Sequence, residues 1–120
     1  MKREAWHECE IATTLEIIGG RWKSVILFYL LSGPKRFNEI KRYLPGVTPR
    51  MLTLQLRELE RDQVLTRFVH AQVPPRVDYE LTDFGRSLEP VLLAMGDWGI
   101  RYRQQVLGIR GPQEESLAEV

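Results

Sequence analysis

Arg50, Met51, Thr53, Gln55 and Arg57 crowd into one short stretch behind Thr48-Pro49, and side chains of these types can read base pairs. An arginine fork fits the O6 and N7 acceptors of guanine, and a glutamine amide fits N6 and N7 of adenine. Arg50 and Gln55 supply those groups. Thr53 brings a hydroxyl for a base or a phosphate, and Met51 an apolar surface for a thymine methyl. Arg57 has two readings: a DNA contact, or a helix ion pair, for example with Glu60, worth only ~0.2–0.5 kcal/mol. Asn38, with Lys35, Lys41 or Arg42, suits phosphate contacts, a solvated basic face being the competing reading. Arg76, directly after Pro74-Pro75, suits entry into a narrow minor groove.

A thiol offers a second chemistry. Cys9 is the single cysteine, so an internal disulfide framework is excluded and a reducing compartment is expected. Glu8 and Glu10 disfavour a thiolate there, whereas a helix N-terminus or nearby His7, Lys2 or Arg3 would favour one. The alternative for Cys9 is a small buried hydrophobe. His7 and Cys9 lack a second pair to complete a zinc site, so no metal is expected. The chain carries no P-loop, no G-x-S-x-G and no Rossmann fingerprint. His70 sits where a surface or phosphate-contact role fits better than that of a general base. These features argue against an enzyme and call for no cofactor.

The elements that must position these groups follow from periodicity. Ile11, Leu15 and Ile18 share one face of a first helix that Gly19-Gly20 ends. Trp22, Val25, Ile26, Tyr29 and Leu30 recur at helical spacing while Leu27, Phe28 and Leu31 fill the other side, so the second helix is expected to be buried almost all round. Ser32-Gly33-Pro34 breaks the chain. Asn38 is then expected to cap a short helix to Tyr43. After the turn Leu44-Pro45-Gly46-Val47, Thr48 as cap and Pro49 at the first position open a fourth helix. Leu52, Leu56 and Leu59 give it a buried stripe, which turns Arg50, Met51, Thr53, Leu54, Gln55 and Arg57 outward. Two short helices around a Pro-Gly turn form a helix-turn-helix, about 38–62.

The period then changes. Val64–Val69 is β-rich, and Val77, Tyr79 and Leu81 alternate with Asp78 and Glu80. With His70–Pro75 between them they make a two-stranded wing, about 64–81. Thr82 is expected to cap one long helix, about 82–107, with Leu88, Val91, Leu92, Met95 and Trp98 on an apolar face. The fold class is therefore mainly α (α+β), a winged helix-turn-helix flanked by N- and C-terminal helices. Residues 1–108 are expected to form a single domain and 109–120 a flexible tail.

Charge agrees with a localised footprint. The 120-residue chain carries a net charge of only +1, yet Lys35–Arg76 holds nine basic and four acidic residues. A basic middle suits a polyanion, although an unevenly charged solvated surface reads the same way. No apolar run reaches the roughly 18 residues a membrane helix needs. Met1-Lys2-Arg3-Glu4 lacks the apolar stretch of a secretory signal, so a cytoplasmic protein is expected.

Ordered along the chain are Leu15-Glu16-Ile17-Ile18-Gly19-Gly20-Arg21-Trp22, Arg36-Phe37-Asn38-Glu39-Ile40 and Leu44-Pro45-Gly46-Val47-Thr48-Pro49-Arg50-Met51-Leu52. Leu56-Arg57-Glu58-Leu59-Glu60, Val73-Pro74-Pro75-Arg76-Val77-Asp78-Tyr79 and Leu81-Thr82-Asp83-Phe84-Gly85 complete the series. This ordered set resembles the HxlR-type family of bacterial winged-helix transcriptional regulators. The resemblance implies a homodimer on a palindromic site in double-stranded DNA, with the first and last helices forming the dimer contact. Ile11, Leu15, Leu88, Leu92, Met95 and Trp98 fall in that contact. It also gives Cys9 a position where the family often carries a cysteine, hence a candidate sensor of oxidants or electrophiles. Leu54 departs from the pattern, which usually has a polar residue there. The competing function is a winged-helix module for protein–protein assembly without specific DNA binding. The operator, the regulated genes and any small-molecule effector are not legible.

Overall fold

The computed structural model describes residues 9–109. The chain divides into two compact units, with the boundary between Leu88 and Glu89.

The first unit begins with α1 (Glu10–Ile18) and α2 (Lys23–Leu30). α1 buries Ile18 and leaves Ile11 71% and Leu15 57% exposed. In α2, Ile26, Leu27 and Leu30 are fully buried, but Val25 and Phe28 are exposed. The second helix is therefore not enclosed all round, as its composition had suggested. Composition counts apolar residues without saying which of them meet a partner.

α3 spans Phe37–Arg42. Its cap differs from the sequence expectation: Arg36, not Asn38, is the cap residue, and the backbone N–H of Arg36 donates to Glu39 Oε1 at 2.8 Å. Glu39 reaches back from the third helical position, which fixes the start before Asn38 can cap it. After a turn in which Gly46 takes φ +90, Thr48 starts α4 (Pro49–Arg61), and its hydroxyl accepts from Met51 N at 3.1 Å. Proline at the first position loses no hydrogen bond, because that N–H has no partner inside the helix. Leu52, Leu56 and Leu59 are buried, as their spacing required.

β1 (Leu65–His70) and β2 (Arg76–Leu81) pair antiparallel, Leu65 opposite Leu81 and His70 opposite Arg76. Lys35 adds a bridge to Tyr79 on the outer edge of β2, through N–H···O bonds of 2.9 and 2.8 Å. The base of this wing is held by Val64, Leu65 and Leu81, all buried, and its outer half is open. Thr82 caps α5 (Asp83–Arg86), accepting from Gly85 N at 2.9 Å while donating to Gln63 O at 2.7 Å. A Cβ at Gly85 would run into the Val64 carbonyl oxygen, so only glycine lets α5 lie against the chain just before β1.

The expected single helix of 82–107 is broken. α5 ends at Arg86, and the second unit opens with α6 (Glu89–Tyr102) followed by a π-helical turn, Arg103–Leu107. Pro90 is the reason: it has no N–H to give residue 86, and its ring clashes with that carbonyl in a continuous helix. Proline is tolerated only because a new helix starts beside it. Gly108, at φ +65, closes the π-helical turn. Apart from Ile109, the expected tail of 109–120 lies outside the described residues. Among the described residues no helix is long and apolar enough to cross a membrane.

Candidate nucleic-acid interface

α4 presents a continuous outer face because its leucine stripe is fully spent on the core. Arg50, Met51, Leu54 and Arg57 are exposed, and Thr53 and Gln55 are half-buried. Thr48 and Pro49 are exposed at the helix start. Leu54, 52% exposed, stands where a polar residue would have offered a hydrogen bond. Arg57 makes no ion pair with Glu60 or any other described residue, which leaves its charge uncommitted.

A partly buried ion pair holds this helix against the core. Lys23 Nζ lies 2.6 Å from Glu58 Oε1, with the lysine side chain only 10% exposed. Removing Glu58 would strand the nearly buried Lys23 ammonium, so the pair helps fix how α4 sits on α2. Neither residue stood out in the sequence; the signal was a lysine at the start of an otherwise apolar helix.

The wing carries a second charged constellation. Arg76 Nε donates to Asp78 Oδ1 at 3.2 Å, and His70 Nε2 lies 2.9 Å from Asp78 Oδ2. Arg76, and more weakly His70, hold the Asp78 carboxyl below the usual carboxylate range, against a desolvation that pushes it up. Burial pushes the Tyr79 phenol up. Asp78 and His70 were missed as a pair because alternation alone sends Asp78 to water. The register of the hairpin sets His70 beside it.

Asn38 is exposed and Lys41 half-buried on α3. Asn38 lines a cleft of about 690 Å³ with Arg36, Arg42, Glu39 and Arg76, which joins α3 to the start of β2. The structure thus gathers Asn38 and Arg76 on one cleft, while Arg50 through Arg57 form the separate face of α4.

The residues expected in a dimer contact divide. Ile11 and Leu15 are exposed on α1, and Met95 and Trp98 are 46% and 63% exposed on α6. Leu88 is half-buried, and Leu92 is 4% exposed, unlike the other four. Cys9 is exposed at the cap position of α1, and its side chain makes no capping bond, so it is not the buried hydrophobe of the alternative reading.

The model of the HxlR-like helix-turn-helix family matches residues 17–106. The chain belongs to that family. The match contains every candidate contact on α3, α4 and the wing, and leaves Cys9, Ile11 and Leu15 outside it. Among HxlR-like relatives, the HTH-type transcriptional regulator YdeP of Bacillus subtilis strain 168 is 58% identical over 98 residues, 82% of this chain and 77% of YdeP. The redox regulator HypR in its reduced form superimposes with a TM-score of 0.79 at 49% identity, over 83% of this chain and 99% of HypR. Its oxidised form gives a TM-score of 0.74 at 54% identity, over 76% of this chain and 94% of that one. The HxlR-like chain is therefore a winged helix-turn-helix in sequence and in structure.

Proposed function

We propose that this protein is a sequence-specific DNA-binding transcriptional regulator that works in the cytoplasm as a homodimer on a palindromic operator. The observation that carries this reading is the outer face of α4. A helix whose apolar stripe is wholly buried turns Arg50 and Arg57 outward without an ion pair to hold them. A helix-turn-helix lays the start of its second helix in the major groove, so Arg50, Met51, Thr53 and Gln55 are the base-reading set. Thr48 and Pro49 bring the backbone of the first turn near the phosphates, joined by Asn38, Lys41 and Arg57, with Arg76 at the wing.

Dimerisation is supported by the apolar groups left in water. Ile11 and Leu15 on α1 and, separately, Met95 and Trp98 on α6 are more than two-fifths exposed, and apolar side chains grouped on one helix face mark an interaction surface. A two-fold pair of such surfaces calls for a palindromic site. The test is selection from random duplex DNA by the reduced protein at ~150 mM salt. Enrichment of a palindrome supports the reading, and unenriched DNA supports a protein-assembly module instead.

A second property is favoured by the exposure of Cys9 and by the likeness to a redox regulator solved in oxidised and reduced forms. We propose that oxidants or electrophiles modify the Cys9 thiol and alter DNA binding. With one cysteine in the chain, a disulfide must join Cys9 to a thiol of another molecule, the oxidant taking two electrons and two protons. Diamide should release DNA from the wild type and spare Cys9→Ser. Equal release from both would remove the thiol from the mechanism.

A further inference from the structure

The cleft between α3 and β2 sets Arg36 and Arg42 opposite Arg76. Its acidic lining residue, Glu39, is already committed, since one of its oxygens accepts from the Arg36 backbone N–H. Arg76 is not a loose side chain. Its Nε is bonded to Asp78, and Asp78 in turn is 9% exposed with His70 on its other oxygen. A guanidinium held through Nε keeps both terminal amino groups for a ligand, and two parallel N–H groups match the two free oxygens of a phosphodiester.

We propose that this cleft seats a backbone phosphate of the bound DNA, gripped by Arg76 with Arg36 and Arg42, and that Asp78 is the positioning residue that aims Arg76. The inference rests on the DNA-binding reading above and deepens it. It gives Arg76 a phosphate rather than the minor groove expected from sequence. Threading the guanidinium into a groove would break its bond to Asp78 and leave a nearly buried carboxylate facing DNA with only His70 to balance it. Gripping a phosphate keeps that bond and adds to it.

The test uses the full chain and the duplex recovered by selection, with single methylphosphonates scanned along each half-site. Neutralising the seated phosphate should weaken wild-type binding about tenfold, the size of a charge-assisted hydrogen bond. The same substitution should cost less than about twofold in Arg76→Ala and in Asp78→Asn, each compared at a temperature where its denaturation curve shows it folded. Asp78→Glu, which keeps the carboxylate, should regain part of the sensitivity. The slope of log K against log salt should fall by about 0.9 per protomer in Arg76→Ala. Replacing guanine by inosine, which strips the minor-groove amino group, should leave the contribution of Arg76 unchanged. An unchanged methylphosphonate profile in Arg76→Ala, or an effect of Arg76→Ala that grows on inosine DNA, where the groove floor is cleared for a guanidinium, overturns the phosphate seat while specific binding stands. A full profile in Asp78→Asn overturns the positioning role alone. Failure to recover any enriched duplex overturns the DNA-binding reading itself, and the seat with it.

Discussion

Helices α4 and α6 are 13 and 14 residues long, and they dispose of their apolar side chains in opposite ways. α4 buries Leu52, Leu56 and Leu59 and shows solvent a face with Arg50 and Arg57. α6 buries Leu92 and leaves Val91, Leu93, Met95, Trp98 and Tyr102 exposed, with Trp98 and Tyr102 stacked at 5.6 Å. The first helix is finished inside its own unit, so its outer face is free to be polar and to meet a polar partner. The second leaves apolar groups in solvent, so a surface that covered it would have to be apolar. One chain thus carries two outward faces whose chemistries cannot exchange partners.

The largest expected effect tests the finished helix. Leu56→Ala should destabilise the fold by about 2–5 kcal/mol, the cost of a buried leucine plus the cavity it leaves. Urea denaturation at fixed protein concentration measures it. Trp98→Ala, although it deletes a larger side chain, should leave the protomer fold nearly as stable and act on association. In the proposed dimer, loss of this aromatic should cost about 2 kcal/mol or more of affinity, some 30-fold in the dissociation constant read by sedimentation. Should Trp98→Ala unfold the protomer as Leu56→Ala does, the contrast between the two helices collapses.

Two smaller changes sharpen the α4 side. Arg50→Ala should cost about 1–3 kcal/mol on the selected site and much less on random DNA, because only the selected site offers a matched base. Equal losses on both would demote Arg50 to a phosphate contact. Thr48→Ala removes the hydroxyl that accepts from Met51 N and should cost about 1 kcal/mol of stability. Thr48→Asp, which keeps an acceptor, should restore stability yet weaken DNA binding by placing a negative charge at the helix entry. That split separates capping from recognition.

What was legible in the sequence was whatever depends on local spacing. The cap at Thr48, the proline behind it, the leucine stripe and the cap at Thr82 each follow from chemistry a few residues wide. What escaped depends on competition or on distance. Asn38 is a good capping residue, but Glu39 satisfies Arg36 first. The stripe running through Leu88 and Leu92 looks continuous, yet Pro90 lies inside it and forces a restart at Glu89. The Lys23–Glu58 pair and the His70–Asp78–Arg76 group join residues that only the packing of α2 on α4 and the hairpin register bring together. Of the candidate contact set, α4 was readable as a face. The cleft was not, because Arg36 and Arg76 are forty residues apart in sequence.

The smallest expected effect lies in the wing and is one of pH. The hydrogen bond from Arg76 is the main cause that keeps Asp78 below the ordinary carboxylate range in the fold. In the unfolded chain the group returns to about 3.9. A carboxyl whose folded value is the lower one stabilises the fold at pH above the unfolded value, and that contribution is lost as pH falls through the folded value. Asp78→Asn should therefore be less stable than wild type at neutral pH, and the gap should narrow as pH falls below about 4. Denaturation midpoints taken from pH 7 down to the acid limit measure the gap directly. The uncharged residues Met95 and Trp98 have nothing to titrate, so the Trp98→Ala loss of association should persist where the Asp78 difference fades. A gap between wild type and Asp78→Asn that stays constant into acid would mean the carboxylate charge adds nothing to the wing. The hold on Arg76 would then be one of shape alone.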